Sequence, residues 1–176
     1  NLGGLIGGAS VVPINFHLTA EEVAYILSDS GARLVFIGPE TAERGLEAAA
    51  LAGIDQVIGW RCEIAGLQSW DEWLAASSPE EPDTSIPPRP NLLYTSGTTG
   101  RPKGTHLPPT MFAGGDTVEA HLQNLKLNPL AALGPHLVVG PMYHTGPLSG
   151  ARLLAAGAPS VILNKFDPEN TLQTID

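Results

Sequence analysis

Short, largely apolar runs alternate along the chain with segments that carry helix-capping signals. Capping boxes, in which a hydroxyl and a Glu side chain satisfy free N–H groups at a helix start, stand at residues 19–22 and 69–72. Continuous apolar strands between helices are typical of a parallel sheet covered on both faces. The sequence therefore predicts a layered α/β fold, with a mainly parallel sheet and flanking helices. The predicted strands are residues 10–14, 33–37, 56–59, 91–95, 137–141 and 160–163, and the predicted helices include residues 19–31, 41–52, 110–125, 148–156 and one that starts at Asp167-Pro168.

Length and composition limit the class of protein. A chain of 176 residues corresponds to about one domain. Residues 77–90, rich in Pro, Ser and acidic residues, predict an exposed connection between possible sub-segments 1–83 and 91–176. The single cysteine, Cys62, excludes an internal disulfide. With no run of 18 apolar residues we expect no transmembrane segment.

The first residues of the chain bear on the expected location of the protein in the cell. It begins at Asn1 without a basic segment, so we expect no secretory signal and a cytoplasmic protein. Because it does not begin with Met, we interpret it as a fragment or a processed product.

Charge is distributed unevenly along the chain. The formal net charge of −9 argues against nucleic acid as a partner. Residues 1–83 hold thirteen acidic and three basic residues, whereas residues 84–165 hold two acidic and six basic ones. Residues 84–115 contain no carboxylate but include Arg89, Arg101, Lys103 and His106. This part of the chain is suited to binding an anion.

Residues 94–104 (YTSGTTGRPKG) carry the clearest chemical signal. They hold five hydroxyls, three glycines and two cations, and they follow a predicted strand. Glycines let backbone N–H groups approach a ligand, hydroxyls donate to phosphate oxygens, and Lys103 supplies a mobile positive charge. The segment differs from a Walker A loop, since Pro102 and Gly104 stand where Gly and Ser or Thr are required. We interpret it as a cradle for a polyphosphate.

This segment resembles the phosphate-loop motif of the adenylate-forming superfamily, which includes acyl-CoA synthetases, luciferases and peptide-synthetase adenylation domains. Residues 10–36 are similar to the segment upstream of that loop in acyl-CoA synthetases, and residues 141–146 (PMYHTG) resemble their next motif. The resemblance covers essentially the whole chain. Since members of the family are about three times longer, it implies an internal piece of their large N-terminal domain, with that domain's α/β fold.

The resemblance implies a two-step ligase that activates a carboxylic acid, most simply a fatty acid, with ATP and then transfers the acyl group to coenzyme A. Mg²⁺ would neutralise the phosphates. Expected partners are thus small molecules, and a homo-oligomer stays open. His144 matches a position that lines the acyl pocket near the reacting carboxylate. The residues implied to contact the phosphates are Thr95, Ser96, Gly97, Thr98, Thr99, Gly100 and Lys103.

Departures from the family pattern leave alternatives. Thr105-His106 follow Gly104 directly, whereas the family has a longer spacer. The motifs for the Mg²⁺ carboxylate, adenine, ribose and catalytic lysine lie outside this chain, so we expect the isolated chain to be inactive. An aryl-CoA ligase, a peptide-synthetase domain or a non-catalytic nucleotide-binding domain are the alternatives; the absence of an Asp beside His144 disfavours an amino-acid substrate. The remaining histidines, His17, His106, His121 and His136, are predicted to lie at the surface.

Overall fold

The computed structural model describes residues 2–95, 100–107 and 113–175. Helices and short strands alternate through these ranges, with brief 3-10 helices at Pro39–Thr41, Pro129–Leu133 and Arg152–Ala156. The α-helices are α1 (Leu2–Ile6), α2 (Ala20–Ser30), α3 (Ala42–Ala52), α4 (Trp70–Ala75), α5 (Val118–Lys126), α6 (Thr145–Ala151) and α7 (Pro168–Ile175). The strands are β1 (Val35–Ile37), β2 (Val57–Gly59), β3 (Gln68–Ser69), β4 (Asn91–Thr95), β5 (Lys103–Leu107), β6 (His136–Val138) and β7 (Ser160–Ile162).

The chain forms two compact units, each assembled from separate stretches of sequence. The α2 unit consists of Ile14–Glu81 and Tyr94–Gly104. The α5 unit consists of Asn1–Pro13, Pro82–Leu93 and Thr105–Asp176. The proposed sub-segments 1–83 and 91–176 stay a prediction.

The α2 unit is built on a three-stranded parallel sheet with the order β1-β2-β3. Val35 pairs with Val57, and Gly59 pairs with Ser69. Helices α2 and α3 pack together beside it. Two buried apolar clusters hold these layers, one of Ala20, Ala24, Leu27 and Ala48, the other of Ile37, Ala49 and Val57.

Helix α2 begins and ends at the capping residues that the sequence predicts. The Thr19 hydroxyl accepts from the backbone N–H of Glu22, whose carboxylate accepts from the backbone N–H of Thr19, completing the predicted capping box. Gly31 ends the helix in the left-handed conformation, with φ of 65°. The helix is therefore a firmly bounded element of the α2 unit.

The α5 unit has its own short parallel sheet, in which β6 pairs with β7 and His136 lies beside Ser160. Helix α5 packs against the 3-10 helix that follows α6. Val118, His121 and Leu125 form the buried face of α5. Strands β4 and β5 form a separate two-stranded sheet.

The predicted α/β class and parallel pairing are confirmed, while several element boundaries differ from the expectation. Residues 10–14 form no strand: Pro13 has no N–H to donate, and one backbone bond, from Leu92 N to Val11 O at 3.1 Å, ties this stretch to β4. Of the helix expected over residues 110–125, residues 110–112 lie outside the described residues, and helix α5 begins at Val118 because residues 113–117 are irregular and Gly115 has φ of 125°. The predicted helix over 148–156 is instead α6 followed by a 3-10 helix.

His121 was expected at the surface and is fully buried, which corrects that expectation. It lies three residues after Val118 and four before Leu125, so it shares their inward-facing side of α5. Its Nδ1 lies 2.9 Å from the carbonyl oxygen of Ala113, which satisfies one ring nitrogen. Because His121 is a polar residue, the sequence pattern of α5 gave little indication that it would be buried.

The length of the helices also bears on membrane association. Helices α2 and α3 have 11 residues each. Within the ranges that the structure describes, no helix is long and apolar enough to cross a membrane.

Candidate functional site

The described residues of the segment 94–104 are the last two of β4, residues 100–102 and the first two of β5, and they belong to the α2 unit. Thr95 is the last residue of β4 and is exposed. Lys103 is the first residue of β5 and is also exposed. Ser96, Gly97, Thr98 and Thr99 lie outside the described residues. The structure thus places three of the predicted phosphate-binding residues, Thr95, Gly100 and Lys103, in one short segment.

Tyr94, directly before Thr95, forms a hydrogen bond with helix α2. Its hydroxyl donates a 2.6 Å hydrogen bond to Oδ2 of Asp29 near the end of that helix. Burial raises the pKa of the Tyr94 phenol, and the hydrogen bond and negative charge of Asp29 raise it further. The phenol therefore remains a donor over the physiological pH range.

Arg101, directly after Gly100, meets the same helix. Its guanidinium carbon lies 5.3 Å from the ring centroid of Tyr25, within the range of a cation–π contact. Tyr25 and Asp29 are four residues apart and so project from one face of α2. One helix face thus contacts both Tyr94 and Arg101 of the segment.

The described residues of the segment are suited to an anionic ligand. Gly100 has φ of 105°, a conformation that L side chains rarely adopt, so glycine is required at this position. The segment also offers an exposed hydroxyl, Thr95, and two exposed cations, Arg101 and Lys103. Hydroxyls and cations are donors that phosphate oxygens accept. For a metal the outcome is different: among the described residues no three His, Cys, Asp or Glu side chains group closely enough to bind an ion.

His144 lies in the α5 unit, at the residue that precedes α6. Its backbone N–H donates to the carbonyl of Pro141 at 3.0 Å, which closes a turn, and its carbonyl accepts from Leu148 N. The imidazole is exposed and lies 4.5 Å, between ring centroids, from the ring of Tyr143. An accessible imidazole can contact a ligand, and the acyl-site role of His144 stays a prediction.

Sequence reasoning missed Tyr25 and Asp29 as partners of the candidate site. They lie 65 or more residues before Tyr94, within a helix whose sequence is fully explained by its caps and apolar face. The one available signal was a pair of hydrogen-bonding side chains at i and i+4 on the polar side of α2. That signal does not indicate which distant residues would be bound.

Comparison with known proteins extends these observations to the whole chain. Residues 2–176 match the profile of the family described as AMP-binding enzyme. Indoleacetate–CoA ligase from Aromatoleum aromaticum is 30% identical over 175 residues, which cover 96% of this chain and 33% of that protein. Long-chain-fatty-acid–CoA ligase FadD13 from Mycobacterium tuberculosis is 33% identical over 170 residues, covering 91% of this chain and 31% of that protein. The chain thus spans about one third of the length of these relatives.

Solved structures of similar fold include two that are more than 25% identical to this chain. The inhibitor-bound N-terminal domain of FACL13 from Mycobacterium tuberculosis matches with a TM-score of 0.69 and 27% identity, over 98% of this chain and 42% of that one. ATP-bound MatB from Rhodopseudomonas palustris matches with a TM-score of 0.65 and 26% identity, over 99% of this chain and 34% of that one. These matches confirm the resemblance stated from residues 94–104 and 141–146. The chain belongs to the AMP-binding enzyme family.

Proposed function

We propose that this chain is part of an acid–CoA ligase that works through an acyl-adenylate. A carboxylate oxygen of the acid attacks the α-phosphorus of ATP, and the bond to the β-phosphate oxygen breaks, releasing pyrophosphate. The thiol of coenzyme A then attacks the acyl carbon; AMP leaves and the thiol proton passes to solvent. The observation that carries this proposal is that both relatives compared above are named as CoA ligases and align with 91–96% of the chain.

In this proposal the segment 94–104 binds the β- and γ-phosphates of ATP. The hydroxyl of Thr95, at the end of β4, donates a hydrogen bond to a phosphate oxygen, and Lys103 supplies a positive charge. Gly100 adopts a backbone conformation, with φ of 105°, that other residues rarely adopt. Ser96, Gly97, Thr98 and Thr99, which lie outside the described residues, add donors according to the motif. Donors fixed in place before the reaction stabilise the charge that develops on the departing pyrophosphate.

Mg²⁺ would neutralise the phosphate charge when it is bound with ATP. The resemblance to the family implies that the motif with the Mg²⁺ carboxylate lies outside this chain, so we propose that this ligand comes from another part of a longer protein. ATP, coenzyme A and the acid are the partners of this reaction. We also propose a cytoplasmic location, since the reaction consumes ATP and coenzyme A.

The substrate that we propose is a carboxylic acid with a hydrophobic tail, a fatty acid in the first place. FadD13 is named for long-chain fatty acids, which supports this choice. An aromatic acid is the second candidate, because indoleacetate–CoA ligase is similar over as much of the chain. His144, exposed before α6, would lie beside the acyl group in either case.

Acid-dependent exchange of labelled pyrophosphate into ATP tests the proposal. The full-length protein that contains this chain is incubated with ATP, Mg²⁺ and, in turn, fatty acids of several lengths, indoleacetate and an amino acid. We expect exchange with hydrophobic acids, and acyl-CoA formation when coenzyme A is added. ATP binding without exchange for any acid would contradict the ligase proposal and favour a non-catalytic nucleotide-binding protein.

A further inference from the structure

We propose that helix α2 positions Thr95, Gly100 and Lys103 of the phosphate-binding segment, through one contact of Asp29 with Tyr94 and a second contact of Tyr25 with Arg101. This inference rests on the proposed function, since it assigns to four residues the task of holding Thr95, Gly100 and Lys103 ready for ATP. Asp29, Tyr25, Tyr94 and Arg101 are positioning residues, which act through their neighbours.

Each contact lies directly beside a residue assigned to the phosphates. Tyr94 immediately precedes Thr95, and Arg101 immediately follows Gly100. Because Asp29 and Tyr25 project from one face of α2, both contacts attach these residues to the same helix. A single attachment would leave the neighbouring residues free to pivot about it, whereas two attachments hold Thr95 and Gly100 in direction as well as in position.

The contact on the Tyr94 side is the stronger of the two. A phenol that donates to a carboxylate at 2.6 Å forms a charge-assisted hydrogen bond, a class about twice as strong as neutral pairs. The raised pKa of Tyr94 keeps this donor protonated while the enzyme works. The exposed Arg101 adds a weaker contact with Tyr25.

Helix α2 is suited to act as the reference element. Its ends are fixed by the Thr19 capping box and by Gly31, and its inner face is buried through Ala24, Ile26 and Leu27. Side chains on its outer face therefore have well-defined positions. A misplacement of about 1 Å at a reacting group can cost on the order of a hundredfold in rate, so such a support has a measurable consequence.

The test uses the full-length protein with Tyr94→Phe, Asp29→Ala, Asp29→Asn and the double variant Tyr94→Phe/Asp29→Ala. Asn keeps an oxygen that accepts from Tyr94, so it is the conservative rescue. Ser28→Ala, at an exposed neighbour on α2, is the matched control. Two readouts are taken: the KM for ATP against the KM for the acid, and the rate of tryptic cleavage after Lys103.

We expect Tyr94→Phe and Asp29→Ala to raise the KM for ATP by about three- to tenfold and leave the KM for the acid unchanged. The double variant should be no worse than either single change, because both remove the same bond. Ser28→Ala should stay near wild type, and Asp29→Asn, which keeps an acceptor oxygen but loses the charge, should fall between wild type and Asp29→Ala. Cleavage after Lys103 should be faster in Tyr94→Phe and Asp29→Ala, since the segment is held less firmly.

Unchanged cleavage together with an unchanged KM for ATP in both single variants would overturn the inference. If one of them fails to fold, Arg101→Ala and Tyr25→Leu test the other attachment with the same two readouts. The cleavage readout does not depend on activity. Faster cleavage in the variants of a protein that shows no exchange would support the positioning role while the proposed function fails.

Discussion

The hydroxyl of Tyr94 donates to the carboxylate of Asp29 at 2.6 Å, and this bond connects residues 65 positions apart. Tyr94 stands one residue before Thr95, so the bond joins helix α2 to the edge of the proposed phosphate site. Burial is the largest cause of the raised pKa of this phenol, and the hydrogen bond with Asp29 and its negative charge raise the pKa further.

The raised pKa predicts a loss of stability in alkali. A group whose pKa is higher in the folded state contributes stability below its unfolded pKa, about 10 for tyrosine, and loses that contribution as the pH rises further. Wild type should therefore lose its stability advantage over Tyr94→Phe above about pH 10. Urea unfolding of both proteins between pH 8 and 11 measures this; a difference that does not change with pH would contradict the assignment.

Gly45 of α3 faces Ile37 of β1 so closely that a Cβ on Gly45 would overlap the Ile37 side chain. Alanine would favour the helix by about 1 kcal/mol, but overpacking against a buried, β-branched residue costs about 1–3 kcal/mol. We expect Gly45→Ala to lower the unfolding free energy by up to about 2 kcal/mol, the overpacking cost less the helix gain. Gly3→Ala in α1 is the control, because its Cβ would meet no described atom within 4 Å. Equal effects in denaturant titrations would show that packing at Gly45 is loose.

The buried His121 predicts a loss of stability in acid. Burial lowers its pKa, the nearby Arg152 lowers it further, and the contact with Ala113 opposes both. Below about pH 6.5 the unfolded chain binds a proton here that the folded chain does not, so stability falls by up to about 1.4 kcal/mol per pH unit. His121→Leu should flatten the pH dependence between pH 7.5 and 5.5, and Gln123→Ala, at an exposed residue of the same helix, should leave it intact. An equally steep profile in His121→Leu would place the acid sensitivity elsewhere.

Local signals predicted the elements of the α2 unit well. The capping boxes at Thr19 and Ser69 and the glycines Gly31 and Gly53 ended or began helices where the sequence indicated. Caps and helix-ending glycines act over a few residues, so a short stretch of sequence is enough to predict where a helix begins or ends. Strand β4 was predicted at its observed bounds for the same reason, because its apolar residues and the glycines after it are adjacent.

Features that depend on distant partners were not predicted. Strand β5 (KGTHL) has no apolar run, and it forms because β4 offers it backbone partners. The burial of His121 and the bonds of α2 to Tyr94 and Arg101 likewise arise from tertiary contacts. Of the candidate site, the sequence indicated the segment 94–104, whose phosphate-binding role stays a prediction, and it missed Tyr25 and Asp29, which contact that segment.

The 176-residue chain by itself should not form acyl-CoA. Adenylation needs charge stabilisation from several directions, and loss of one such donor typically costs about 10²–10³ in rate. The chain offers the segment 94–104 and His144, while the family's motifs for the Mg²⁺ carboxylate, the adenine and the catalytic lysine lie outside it. Pyrophosphate exchange assayed on the purified chain with Mg²⁺ and a series of fatty acids should remain at background. Exchange comparable to a complete ligase would show that the catalytic groups are misplaced in this account.

Lys103 provides the most direct test of the claim that the segment 94–104 binds the phosphates of ATP. In the full-length protein, Lys103→Ala removes one charged contact, worth about 1.5–3 kcal/mol, or about ten- to a hundredfold in affinity. Lys165→Ala, at another exposed lysine, is the control. Steady-state kinetics with varied ATP should show KM for ATP raised by that factor in Lys103→Ala, with the KM for the acid unchanged. Wild-type KM and kcat for ATP in Lys103→Ala would contradict the account.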